Sequence, residues 1–146
     1  MKKILICGVL AGLLALPVLG GDAEWFTDLP KAQAKAKAEK KLVLMDFTGS
    51  DWCPPCKALK KNVLSAPDFV GYAAKNLVLV EVDFPRHKTQ PDSLKKANQA
   101  LSGRFEVNSF PTVIVLNGEG KQLHKSVGYD GEDSKAFIAK LEKLKN

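Results

Sequence analysis

Two cysteines three residues apart, Cys53 and Cys56 in Trp52-Cys53-Pro54-Pro55-Cys56-Lys57, are the residues of this chain best placed to do chemistry. Thiols at that spacing can close and reopen a disulfide, so the chemistry they offer is reversible two-electron exchange. An apolar run of strand length, Leu42 to Phe47, precedes them, and a helix-competent run, Lys57 to Leu64, follows. That order predicts a strand, a short loop and a helix. At a helix start, free backbone N–H groups and the positive end of the macrodipole favour an anion, here the thiolate of the first cysteine. Cys53 is therefore the expected nucleophile, with its pKa drawn from about 8.5 into a range of roughly 3.5 to 7.5. Cys56, one turn further in, is the expected resolving thiol, which attacks the mixed disulfide and releases the substrate. A structural disulfide and half of a zinc site are the other uses open to such a pair.

The dipeptide between the cysteines bears on the direction of electron flow. A strong oxidant needs its reduced form stabilised by extra donors or a cation close to the thiolate. Pro54 and Pro55 have no N–H, no histidine lies between the cysteines, and the Cys56 N–H is left as the nearest backbone donor. The expected result is a modestly lowered pKa and a reducing or intermediate couple.

The N-terminus, Met1-Lys2-Lys3, an apolar stretch from Ile4 to Leu19, then Gly20-Gly21 before Asp22-Ala23-Glu24, has the pattern of a signal peptide over residues 1–21. Cleavage after Gly20 or Gly21 is expected, and an uncleaved anchor over Ile4 to Leu19 is the minor alternative. Cys7 has only three apolar residues directly before it and reads as leader filler rather than a lipid-attachment site. Without the leader, both remaining cysteines belong to the motif and the destination is exported, periplasmic or secreted. Residues 22–146, about 125 residues, suffice for one domain and not two. The whole chain carries +6, and loss of Lys2 and Lys3 leaves 20 basic against 16 acidic side chains, or +4. The lysines are dispersed rather than clustered with aromatics, so no nucleic-acid partner is expected.

Along the domain, Asp28 can cap a helix to about Lys40, with Pro30 in its first turn. Leu42 to Phe47 and Leu77 to Val82 read as buried parallel strands joined by helical segments over 53–64 and 68–75. A polar loop from Phe84 to Pro91 leads to a helix from about Asp92 to Leu101. Thr112 to Leu116 and Lys121 to Val127 flank Asn117-Gly118-Glu119-Gly120 and form an antiparallel hairpin. Gly131 to Lys145 is an amphipathic helix with Phe137, Ile138, Leu141 and Leu144 available for docking.

This order of elements, the Trp-Cys-Pro-Pro-Cys motif, and Phe110-Pro111-Thr112 opening the hairpin resemble the thioredoxin superfamily over nearly all of the domain. Asp46 to Cys53 and Val82-Asp83-Phe84-Pro85 are similar to exported bacterial thioredoxin-like proteins and to the thioredoxin-like modules of periplasmic electron-transfer reductases. The resemblance implies an α/β thioredoxin fold, with a central mixed sheet of two or more parallel strands plus a C-terminal antiparallel hairpin, flanked by helices. It implies a cis Pro111 beside the disulfide, which keeps metal-ligating groups from the thiols and holds the Phe110 backbone for pairing with an extended substrate. Trp52, Pro54, Pro55, Phe110 and Pro111 are then the substrate-binding residues. Asp46 matches the buried acid that shuttles the resolving cysteine's proton, since a desolvated carboxyl can exchange a proton near neutral pH. Two differences from the family pattern stand out. The approach Gly49-Ser50-Asp51 is one residue longer, and the strand from Leu77 to Val82 has no lysine to partner Asp46. Phe84 to Gln99 is also longer than in minimal thioredoxins and is a candidate partner-selecting insertion.

The expected activity is that of an exported thiol-disulfide oxidoreductase of the protein-disulfide reductase type, without cofactor or metal, acting as a monomer on disulfide-containing proteins. A membrane thiol reductase is the expected electron donor. Two other classes compete: a non-catalytic binding or folding-helper module, and a metal carrier using the cysteines with His87 or His124. No peroxidatic Thr-x-x-Cys pattern supports peroxide reduction.

Overall fold

A computed structural model describes residues 23–145. The expected signal peptide over residues 1–21, its expected cleavage site and Cys7 lie outside the described residues. Five strands form one sheet: β1 (Trp25–Phe26), β2 (Leu42–Thr48), β3 (Leu77–Asp83), β4 (Thr112–Leu116) and β5 (Gln122–Val127), in spatial order β1-β3-β2-β4-β5. β2 runs parallel to β3 and antiparallel to β4, and β4 and β5 form the hairpin. The mixed sheet is the thioredoxin fold expected above. β1 was not foreseen, because two residues give no period, and only pairing with Leu79 and Val80 of β3 makes them a strand.

Alternation along the strands assigns each side chain to a face. Val43, Met45 and Phe47 of β2 share a core with Val78, Val80 and Val82 of β3, Leu29, Ala32 and Ala36 of helix α1 (Leu29–Glu39), and Phe105. Leu44 faces the other way. It meets Leu77 and Leu79 of β3 and three further helices: α2 (Pro54–Leu59) through Leu59, α3 (Pro67–Asn76) through Phe69, and α5 (Ser134–Glu142) through Phe137 and Leu141. Both faces of β2 are thus covered, consistent with its unbroken apolar run. The same parity turns Asp46 toward the α2 side, under the helix that carries the cysteines.

Three helices differ from their sequence-based limits. The segment after Cys53 does reach Leu64, but a π-helical turn over Lys60–Leu64 replaces regular helix at its end. Helix α4 (Asp92–Arg104) runs a turn beyond Leu101. Helix α5 starts at Ser134, where the Asp133 carboxylate accepts the Ala136 N–H at 2.8 Å, rather than at Gly131. Phe137 and Leu141 are buried, while Ile138 and Leu144 are half-buried. Among the described residues, no helix is long and apolar enough to cross a membrane.

Candidate active site

Cys53 is the N-cap of α2, with extended backbone, and Pro54 and Pro55 fill the first turn. Its sulfur is disulfide-bonded to Cys56, with the Cα atoms 5.3 Å apart. The Cys56 N–H donates to Cys53 Sγ at 3.3 Å, the one amide that the two prolines leave available. In this oxidised form the cysteines are 3% and 2% exposed, with Pro54 and Pro55 exposed beside them.

An aromatic surface lies outside the disulfide. The Trp52 and Phe110 rings meet edge to face at 6.1 Å, and Phe110 stacks on Phe84 at 5.0 Å. The Trp52 Nε1–H donates to the Phe84 carbonyl at 2.8 Å, which fixes the indole. Gly49 is required beneath it, because a Cβ there would come within 2.5 Å of the ring. The Phe110–Pro111 peptide bond is cis. Among the described residues, no hydrogen bond engages the Phe110 backbone.

The segment after β3 is tied to the approach of the motif. Ser50 donates its N–H and O–H to the Asp83 carboxylate at 2.9 and 2.5 Å. The Asp51 carboxylate accepts the N–H groups of Arg86, His87 and Lys88 at 3.0, 2.7 and 3.0 Å. Partial desolvation opposes ionisation of Asp51, but the three amides outweigh it and hold the carboxyl below its ordinary range. The Arg86 guanidinium stacks on Trp52, 3.6 Å from the ring centroid.

Inside the disulfide, a cleft of about 370 Å³ is lined by Cys56, Asp46, Thr48, Lys60 and Glu81 among others. Asp46 is 2% exposed, and its Oδ1 has no hydrogen-bond partner among the described residues. Burial pushes its pKa up to about 7; Lys60 opposes the rise, and Glu81 and Asp83 add to it. Glu81 is the register neighbour of Asp46 on β3, and Lys60 Nζ lies 3.9 Å from Glu81 Oε1.

A thioredoxin-like domain profile matches residues 29–145. This chain belongs to the thioredoxin-like domain family. It is 31% identical over 126 residues to a disulfide bond reductase, DsbH, of Chlamydia pneumoniae, covering 86% of this chain and 75% of that one. A thioredoxin-related protein of the same organism, DsbJ, is 30% identical over 139 residues, covering 90% of this chain and 40% of the longer protein. The solved structure of a DsbH oxidoreductase superposes with a TM-score of 0.80 at 27% identity, covering 99% of this chain and 94% of that one. The chain is a thioredoxin-like thiol-disulfide oxidoreductase.

In this thioredoxin-like site, Trp52, Cys53, Pro54, Pro55, Cys56, Phe110 and Pro111 gather at one end of the sheet, with Asp46 behind them. Sequence reasoning missed Glu81 and Lys60; it singled out the segments that hold Phe84 and Asp51, but not the bonds these make to Trp52 and to the amides of Arg86, His87 and Lys88. The parity of β3 could have found Glu81, which shares a face with Leu79, and the i,i+4 spacing from Cys56 could have found Lys60, whose N–H bonds the Cys56 carbonyl. Lys57 is exposed at the cleft. His87 is exposed at the Asp51 turn, and His124 lies on β5 near Phe137 of α5. Among the described residues, no three His, Cys, Asp or Glu side chains could jointly hold a metal.

Proposed function

We propose that this protein works outside the cytoplasm as a reductant or isomerase of protein disulfides, recharged by a membrane thiol reductase. The observation that carries the reading is the sparsely donated Cys53 sulfur, with Cys56 N–H as its backbone donor and a proton-accepting cleft directly behind Cys56. In the reduced protein, the Cys53 thiolate attacks one sulfur of a substrate disulfide. A mixed disulfide forms and the first substrate thiolate leaves. Cys56 then loses its proton to Asp46, directly or through water in the cleft, and attacks Cys53 Sγ. The second substrate thiolate leaves and the Cys53–Cys56 disulfide closes, so two electrons have passed to the substrate.

Asp46 serves as the base because burial holds its pKa near the working range, at about 7. Phe110 offers its unpaired backbone to an extended substrate segment, and Trp52, Pro54, Pro55 and Pro111 form the surface against which that segment lies. The reductase relative supports the direction, and the N-terminal pattern of residues 1–21 supports export.

Equilibration in graded glutathione and dithiothreitol buffers, followed by thiol alkylation and mass measurement, tests this reading. The expected result is one reversible two-electron transition with a midpoint at or below about −230 mV. A midpoint near −120 mV would make the protein an oxidant and overturn the argument from the prolines. Absence of any reversible transition would leave a non-catalytic scaffold.

A further inference from the structure

We propose that Arg86, held on a preformed ridge beside the disulfide, receives a substrate carboxylate and selects protein disulfides with Asp or Glu within about three residues of the reacting cysteine. The inference rests on the disulfide-exchange reading above and adds the substrate's chemistry. Two departures from the family pattern, the longer approach Gly49-Ser50-Asp51 and the longer segment after β3, are one structural feature. Asp51 binds the backbone of Arg86, His87 and Lys88, Ser50 binds Asp83, and Lys88 Nζ donates to Ser50 Oγ at 3.1 Å. The Asp51 charge is committed to three amides, so the exposed side chains of the ridge are left basic.

Arg86 is poised rather than occupied. Its guanidinium face rests on Trp52, and stacking leaves the in-plane N–H donors free. Among the described residues, no carboxylate lies within 4.0 Å of the charged group of Arg86, His87, Lys88, Lys57 or Lys61, and no hydrogen bond engages the Arg86 guanidinium. A planar donor fork lying over the indole with unfilled edges matches a carboxylate, which can accept two parallel N–H bonds. Because the ridge is pinned without a ligand, little ordering cost falls on binding.

The spacing sets the register. The Arg86 guanidinium carbon lies 3.6 Å from the Trp52 ring centroid, and that ring lies 6.1 Å from the ring of Phe110, the residue proposed to pair with substrate. The guanidinium is then at most ~10 Å from the Phe110 ring, about three residues of extended chain at roughly 3.3 Å each.

The test uses the reduced protein and peptides with one intrachain disulfide and blocked ends, identical except for Glu, Ser or Lys within three residues of the cysteine on either side. Stopped-flow tryptophan fluorescence gives the second-order rate. At low ionic strength, the Glu peptide should react about ten-fold faster than the Lys peptide, with Ser between, and the gap should shrink in 0.5 M NaCl. Arg86→Glu should reverse the order, and Lys88→Glu should narrow it. Equal rates for the three peptides, or an unchanged Glu preference in the reversed variant, would overturn the inference while leaving the exchange reaction standing. If no peptide is reduced, the underlying reaction itself fails.

Discussion

Outside the Cys53–Cys56 disulfide, Trp52, Phe84, Phe110 and Arg86 make an aromatic and cationic surface with a hydrogen-bonded loop beneath it. Inside it, Asp46, Glu81 and Lys60 surround a cleft in which one Asp46 carboxylate oxygen has no hydrogen-bond partner among the described residues. The polar groups beneath the outer surface, the Trp52 indole N–H and the Asp51 and Asp83 carboxylates, are bonded to their neighbours and fix its geometry, while the Arg86 donors stay open to a substrate. The inner ones are left under-satisfied, and their protonation is therefore free to change. The contrast teaches that one disulfide can serve two tasks because its sulfurs face different environments: recognition needs rigid, satisfied groups, whereas proton transfer needs a group whose charge is expensive to hold.

Breaking the division between the two sulfurs gives the largest effect. Cys56→Ser should retain attack by Cys53 but trap the mixed disulfide, lowering turnover by at least roughly 10³-fold, as non-reducing mass measurement of the trapped adduct would show. Free turnover in that variant would remove Cys56 from the resolving role.

The inner side also predicts a pH dependence of stability. Burial lifts Asp46 from 3.8 to about 7, so the folded protein keeps a proton there that the unfolded chain has already released. The contribution of Asp46 to stability is therefore greatest below the unfolded value, falls as pH rises from about 4 toward 7 with a ceiling of about 1.4 kcal/mol per pH unit, and levels off above. Calorimetry of the oxidised protein and Asp46→Asn should show the variant's relative stability growing across that window. A constant difference would mean that Asp46 is ionised throughout.

On the outer side, Gly49→Ala should force the indole from its pocket and cost roughly 1–3 kcal/mol, with altered near-ultraviolet circular dichroism of Trp52. Asp51→Ala should release the three amides of the ridge and lower the ratio of protein-disulfide to small-disulfide reduction rates by roughly ten-fold. If that ratio does not move, the ridge has no part in recognition.

Much of this arrangement was legible in local pattern. The unbroken apolar runs of β2 and β3, the turn at Asn117-Gly118-Glu119-Gly120 and the strand-loop-helix setting of the cysteines each depend on neighbours in sequence. The features that escaped are set by distant pairing. β1 exists only against β3, and Glu81 meets Asp46 only through strand register. Lys60 follows Cys56 by one helical turn, its N–H on the Cys56 carbonyl, and its approach to Glu81 comes from the packing of that helix on the sheet. Beside Asp46, β3 carries Glu81 and no lysine, and the cation comes from the helix side as Lys60. Likewise, the extra residue before the motif and the long segment after β3 were each visible alone, but the Asp51 bonds that join them were not.

Single-turnover reduction of a protein disulfide, followed across pH with mixed-disulfide formation and decay resolved separately, is the most direct test of the two-sided disulfide. The expected result is that Asp46→Asn leaves formation at its original rate while slowing decay by about 100-fold near neutral pH and abolishing the inflection near pH 7. Equal slowing of both steps, or unchanged decay with the inflection intact, would contradict a proton-transfer role confined to the inner side.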